Sequence, residues 1–166
     1  MSSESAGDVV SSFIEKQLTT ERATKASLET RGLAVITSAG TLTTLLLALS
    51  ALVAQRPAYA LPGGAWVPIS VAATAFLLSA VVAVYSNAPM KSMTVAPAAF
   101  KEHLTDKYWG APKSEAVRAV ANSQLILLGA VQNQNKKKAL ILMAAIIGET
   151  IGVIAIGVTV IMLVTV

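Results

Sequence analysis

The residue of this 166-residue chain whose position most needs a chemical reason is Glu149. It is the single charged side chain in residues 139–166, a run otherwise made of apolar, small and hydroxyl residues. It lies about 11 residues into that run, roughly 16 Å along a helix, near the middle of a ~30 Å hydrocarbon layer. An ionisable group there marks a buried pair, an ion or proton path, or a contact with another protein surface. Its neighbours are Gly148, Thr150, Ile151 and Gly152, and Gly148 with Gly152 forms the small-xxx-small spacing that lets a second helix approach closely. One reading is a neutral acid hydrogen-bonded to a hydroxyl of a neighbouring helix. Thr37, Ser38, Thr41, Thr43 and Thr44 of an earlier apolar segment are the candidate partners. A second reading is proton or ion coupling through Glu149, and a third is an acid facing other copies of the chain.

That earlier segment is itself unusual. Thr37-Ser38-Ala39-Gly40-Thr41 followed by Thr43-Thr44 is small and hydroxylic, where a helix facing only lipid has no use for such residues. It suits close packing, either within the chain or between copies. A further set of candidates is basic: Lys136, Lys137 and Lys138 precede residue 139, and Lys113 and Arg118 lie upstream. Such a cluster contacts anionic lipid head groups, and with Lys113 and Arg118 it offers an anion site.

Other chemistries find no residues. There is no cysteine and one histidine, His103, so neither a thiolate metal site, a His-rich metal site nor a Ser/His/Asp set is expected. No G-x-x-x-x-G-K-[ST] or G-x-G-x-x-G loop is present. The expectation is a non-enzymatic protein with no cofactor and no metal. The net charge of +4 is explained by membrane topology rather than by a nucleic-acid polymer as partner.

The elements that must position these residues follow from composition. The chain is 54% hydrophobic and 13% charged, about half the charge of a typical soluble domain. Three segments are long and apolar enough to cross a bilayer: residues 33–54, 65–85 and 139–166. Trp66 and Tyr85 bracket the second, as interfacial aromatics do. The fold class expected is all-α, an integral membrane protein with three transmembrane helices and cytosolic helical extensions. Residues 1–7 read as a disordered N-terminus and 8–31 as a cytosolic helix, with Asp8 or Ser12 at its cap and Val10, Ile14 and Leu18 on one face beside Phe13. Residues 32–86 form a transmembrane hairpin whose loop holds Pro57, Pro62, Gly63 and Gly64. Residues 87–138 are a cytosolic helical segment. Within it Phe100, Leu104 and Tyr108 mark a short amphipathic helix from Pro97 to Gly110, and Ser114 caps a longer helix with the stripe Val117, Ala121, Leu125, Leu128 and Gln132. Residues 139–166 complete the third span, as a helix of about 53 residues if it runs unbroken from Ser114.

Twelve of the thirteen lysines and arginines lie before the first span or between the second and third; Arg56 alone lies between the first and second. The side with twelve is expected to be cytoplasmic, which places the N-terminus inside and the C-terminus outside. Ala58-Tyr59-Ala60 has the form of a signal-peptidase site. Yet the run before it is about 22 residues and its leader carries five acids, so cleavage is not expected. Helices 8–31 and 114–138 both head towards the membrane, so they are expected to be parallel, about 36 Å each, and able to pass a cytosolic event to the spans.

Thr20-Glu21-Arg22-Ala23-Thr24-Lys25-Ala26-Ser27-Leu28, leading into the hydroxylic first span, resembles the opening of the small transmembrane effectors of bacterial anti-phage systems. The likeness is to the Pycsar transmembrane effectors and, more loosely, to the SLATT type. Val120-Ala121-Asn122-Ser123 and the Lys136, Lys137, Lys138 run occupy the places of that group's later helix and final span. The resemblance implies a homo-oligomer in the bacterial cytoplasmic (inner) membrane that impairs the lipid bilayer after a cyclic-nucleotide-type signal. The alternatives are a small proton- or ion-coupled transporter using Glu149, and a membrane adaptor or scaffold acting through its cytosolic helices.

Overall fold

A computed structural model of the protein describes residues 6–54, 64–88 and 112–164. Among them there are three helices and no strand: α1 (Ala6–Ala54), α2 (Trp66–Asn87) and α3 (Lys113–Val164). Each is long and apolar enough to cross a membrane. Of the expected loop, Gly64 is a turn and residues 55–63 lie outside the described residues, as do the amphipathic helix 97–110 with Phe100, Leu104 and Tyr108, and His103.

The helices start earlier than capping residues suggest. Ala6 and Gly7, expected in a disordered N-terminus, are helical. Ser12 is an interior residue whose Oγ donates to the Val9 carbonyl at 2.9 Å, so it is not a cap. Ser114 is not one either: the Glu115 and Ala116 N–H groups donate to the Pro112 carbonyl at 2.9 and 3.4 Å. Proline's fixed φ is already that of a helix, which starts the turn one residue ahead of Ser114. α1 passes through Arg31, and α3 through Lys136, Lys137 and Lys138, without a break.

Burial along the helices follows a heptad. On α1, Ser11, Ile14, Leu18, Glu21, Lys25, Leu28, Gly32, Val35, Ala39, Leu42 and Leu46 are all buried or half-buried, in alternating steps of three and four. On α3 the series is Val117, Ala121, Gln124, Leu128, Val131, Asn135, Lys138, Leu142, Ala145, Glu149, Gly152, Ile156 and Thr159. On α2 it is Ala72, Phe76, Ser79, Ala83 and Ser86. A 3.5-residue repeat keeps one seam facing a partner helix along its whole length. It also corrects the expected stripe on α3. Leu125 is 54% exposed while Gln124 sits in the seam, because a 3.6-residue reading drifts off a 3.5-residue contact.

The described residues form two compact units, 6–27 with 112–137 and 28–54 with 64–88 and 138–164. In the first, contacts of Asp8 with Lys113 and Glu21 with Asn135 show α1 and α3 running parallel, as expected. In the second, Val35, Ala83, Leu142 and Ala145 form one cluster, and Ala72, Phe76 and Ala155 another. There α2 runs antiparallel to α3, with Ser86 at Lys138 and Ser79 at Ala145. The core is built on fully buried alanines (Ala39, Ala72, Ala83, Ala145), which bring backbones close. Large apolar side chains such as Leu33, Leu77, Val81, Leu140 and Ile154 stand 58–69% exposed. Exposure on this scale suits hydrocarbon rather than water.

Candidate functional site

Glu149 occupies a seam position of α3, half-buried, one heptad after Leu142. The glycines beside it serve α2. A Cβ on Gly148 would lie 3.5 Å from the Ser79 Cβ, an ordinary contact. A Cβ on Gly152 would lie 2.5, 2.8 and 2.9 Å from the ring of Phe76, which is fully buried. Gly152 is therefore the recess that receives Phe76; the expected close approach is observed there, while Gly148 has room for a methyl group.

The hydroxyl partners expected for Glu149 do not reach it. Thr37, Thr41, Thr43 and Thr44 donate to the carbonyls four residues back, at 3.0, 2.9, 2.8 and 2.9 Å. Ser38 donates to the Ala34 and Val35 carbonyls at 3.0 and 3.1 Å. Each hydroxyl has one proton, and a helix interior offers it a nearby carbonyl. Among the described residues Glu149 makes no hydrogen bond or ion pair, so its role as internal glue is corrected. The glue lies elsewhere. Ser79 Oγ donates to the Ala145 carbonyl at 2.6 Å and Ser86 Oγ to the Lys138 carbonyl at 3.3 Å, with both serines buried. Sequence reasoning passed over these two. The signal was their seven-residue spacing in a span otherwise rich in bulky aliphatics.

The basic residues do not converge. Lys136 and Lys137 are exposed, but the Lys138 side chain is 3% exposed and its Nζ donates to Glu29 Oε1 at 2.9 Å. Lys138 is thus removed from the set expected to contact lipid head groups or an anion. It falls on the seam, where the partner helix covers it. Lys113 is exposed, 3.9 Å from the Asp8 carboxylate. Arg118 borders a groove of about 560 Å³ with Glu115, Asn122, Val10, Ile14 and Leu125. Arg118 and Lys136 are separated by a rise of about 27 Å along α3, so they cannot hold one small anion. Nearby, Asn135 Nδ2 donates to the Glu21 carbonyl and carboxylate at 2.9 and 2.8 Å. Among the described residues no group of three or more His, Cys, Asp or Glu could hold a metal.

The outward face of α1 differs from those of the other helices. Thr20, Ala23, Ser27, Thr30, Ala34, Thr37, Thr41, Thr44, Ala48 and Ala51 follow a second heptad, and every one is exposed. Gly40 beside them has open space where a Cβ would point. The corresponding face of α3 carries one small residue, Ala144, among Leu140, Ile147, Ile151, Ile154, Val158 and Ile161. Of the small and hydroxylic stretch expected to suit close helix contact, Thr37, Gly40, Thr41 and Thr44 are therefore turned away from α2 and α3, whereas Ala39 is fully buried and Thr43 half-buried. No family model, curated protein or solved structure matches the chain.

Proposed function

We propose that this protein is a non-enzymatic, three-span integral membrane protein that self-associates through the outward face of α1 and perturbs the bilayer as an oligomer. The observation behind this reading is the exposed Ala/Ser/Thr heptad of α1. Small residues let two helix backbones meet closely, and van der Waals packing drives association in lipid, where the hydrophobic effect between helices is absent. The matching stripes of α2 and α3 are mostly bulky aliphatics, which suit acyl chains, as do Leu33, Leu45 and Leu47 elsewhere on the exposed surface of α1. The distribution of twelve of thirteen basic residues supports a cytoplasmic N-terminus and an outer C-terminus in a bacterial cytoplasmic membrane. The resemblance to anti-phage effectors supplies the setting, antiviral defence triggered by a cyclic-nucleotide-type signal.

The chain has no cysteine, so single-cysteine variants report contacts cleanly. Oxidation of Thr37→Cys, Thr41→Cys and Thr44→Cys in membranes should give covalent dimers, and Ile151→Cys on α3 should not. Forced expression should collapse the membrane potential and admit dye. Monomers at all three α1 positions, or an intact potential, would refute the proposal. A second reading has its own support: Glu149 is a half-buried carboxyl without a described partner, and such a group in a span suits proton or ion coupling. Proton flux in proteoliposomes that Glu149→Gln abolishes would favour it.

A further inference from the structure

A lysine at the start of a span ordinarily extends its ammonium group to the water, as Lys136 and Lys137 do. Lys138 does the opposite. Its side chain is 3% exposed and turned onto Glu29 of α1, while its own carbonyl receives the Ser86 hydroxyl of α2. One turn along α1, Gly32 is buried, and a Cβ there would fall 2.7 Å from the Asn87 amide of α2. Within one turn of each helix, then, Glu29, Ser86 and Lys138 bond all three elements together, and Gly32 leaves room for Asn87, whose buried Nδ2 has no hydrogen-bond partner among the described residues.

The chemistry of this junction is that of a latch rather than of glue. A buried ion pair gives back in mutual attraction roughly what it loses in hydration, and an apolar pair in its place is often as stable or more so. Glu29 remains 42% exposed on its side chain, so its carboxylate is already partly hydrated. Separating the pair returns both charges to water, which limits the penalty of opening. An apolar contact at the same point would gain nothing from hydration. Immediately past the junction lies the cluster of Val35, Ala83, Leu142 and Ala145, which is sealed only while the three helices stay together.

We propose that Glu29, Gly32, Ser86, Asn87 and Lys138 form a three-helix clasp that holds the span bundle closed, and that parting Lys138 from Glu29 is the step that opens it. The clasp deepens the membrane-perturbing reading and rests on it for its consequence, but its geometry is tested separately. Val35→Cys, in this cysteine-free chain, places one thiol beneath the clasp at a residue 7% exposed. Thiol-reagent labelling in membranes is then compared across four backgrounds: native, Glu29→Lys, the swap Glu29→Lys with Lys138→Glu, and the apolar pair Glu29→Met with Lys138→Met. Dye release from vesicles is measured alongside. Glu29→Lys should raise the labelling rate about tenfold or more, the swap should return it towards native, and the apolar pair should keep it at or below native. Dye release should follow the same order, with the apolar pair the least leaky. Glu29→Gln, a milder change, should fall between native and Glu29→Lys and serves if the charge reversal does not accumulate. Equal labelling in native, Glu29→Lys and Glu29→Gln, or a swap that fails to restore protection, overturns the clasp. Labelling in the expected order without dye release from any form leaves the clasp standing and refutes the membrane-perturbing reading instead.

Discussion

Gly152→Ala isolates the contact on which α2 and α3 depend. The added methyl would sit 2.5 Å from Phe76 Cε1 and within 3 Å of two further ring carbons, about 1 Å closer than such carbons pack. The ring is fully buried against Ala72, Ala155, Leu42 and Ile156, so it cannot rotate away freely. Overpacking of this kind costs about 1–3 kcal/mol. Replacing glycine by alanine within a helix returns about 1 kcal/mol through propensity. The net change is therefore expected to lie between near zero and a loss of about 2 kcal/mol. Gly157→Ala supplies the control. It lies on the same helix with nothing within 4 Å of its Cβ, and should gain up to about 1 kcal/mol. The difference between the two variants cancels propensity and should equal the overpacking penalty, about 1–3 kcal/mol. Thermal unfolding in detergent micelles measures both, and Gly152→Ala combined with Phe76→Leu should recover much of the difference. Gly152→Ala as stable as Gly157→Ala would refute the placement of Phe76 over Gly152.

Ser79→Ala should destabilise the bundle by about 0.6 kcal/mol and at most about 1.7, the range for hydrogen bonds between spans, because the Ala145 carbonyl keeps its helical partner; denaturation in mixed micelles would show a larger loss only if packing around Ser79 also failed. Lys136→Met and Lys137→Met should each weaken binding to anionic vesicles by about 1 kcal/mol without affecting stability. Lys138→Met should do the reverse, lowering stability while vesicle binding holds; vesicle co-sedimentation and thermal melts separate the two. Glu149→Gln should leave the melting temperature of the isolated chain unchanged, since no described partner is lost; a fall would show that the carboxyl is held within the monomer.

Most of the fold is legible in the residues because hydrocarbon imposes a length and water imposes a charge. Residues 33–54, 65–85 and 139–166 stand out on apolar length alone. The parallel direction of α1 and α3 follows from two helices that both continue into spans. Helix starts are less legible, since Ser12 and Ser114 have the chemistry of caps but lie inside helices that begin at Ala6 and Lys113. Among candidate site residues, Gly152 is legible because only glycine admits a neighbour as close as Phe76, whereas an alanine would fit at Gly148. Ser79 and Ser86 are not legible, because a serine in a span reads equally as lipid-tolerated or as a donor until a partner carbonyl is seen.

The amino-acid order by itself determines where the three long apolar helices lie and which small residues could be approached. The tertiary structure alone decides which face of each helix is covered. Glu149 and Lys138 sit eleven residues apart on the same seam, yet Lys138 meets a carboxylate from α1 and Glu149 meets no described partner. The reason is physical. A hydrogen bond or ion pair works only within about 3–4 Å and depends on where another helix lies, whereas apolar length is a local property of the chain.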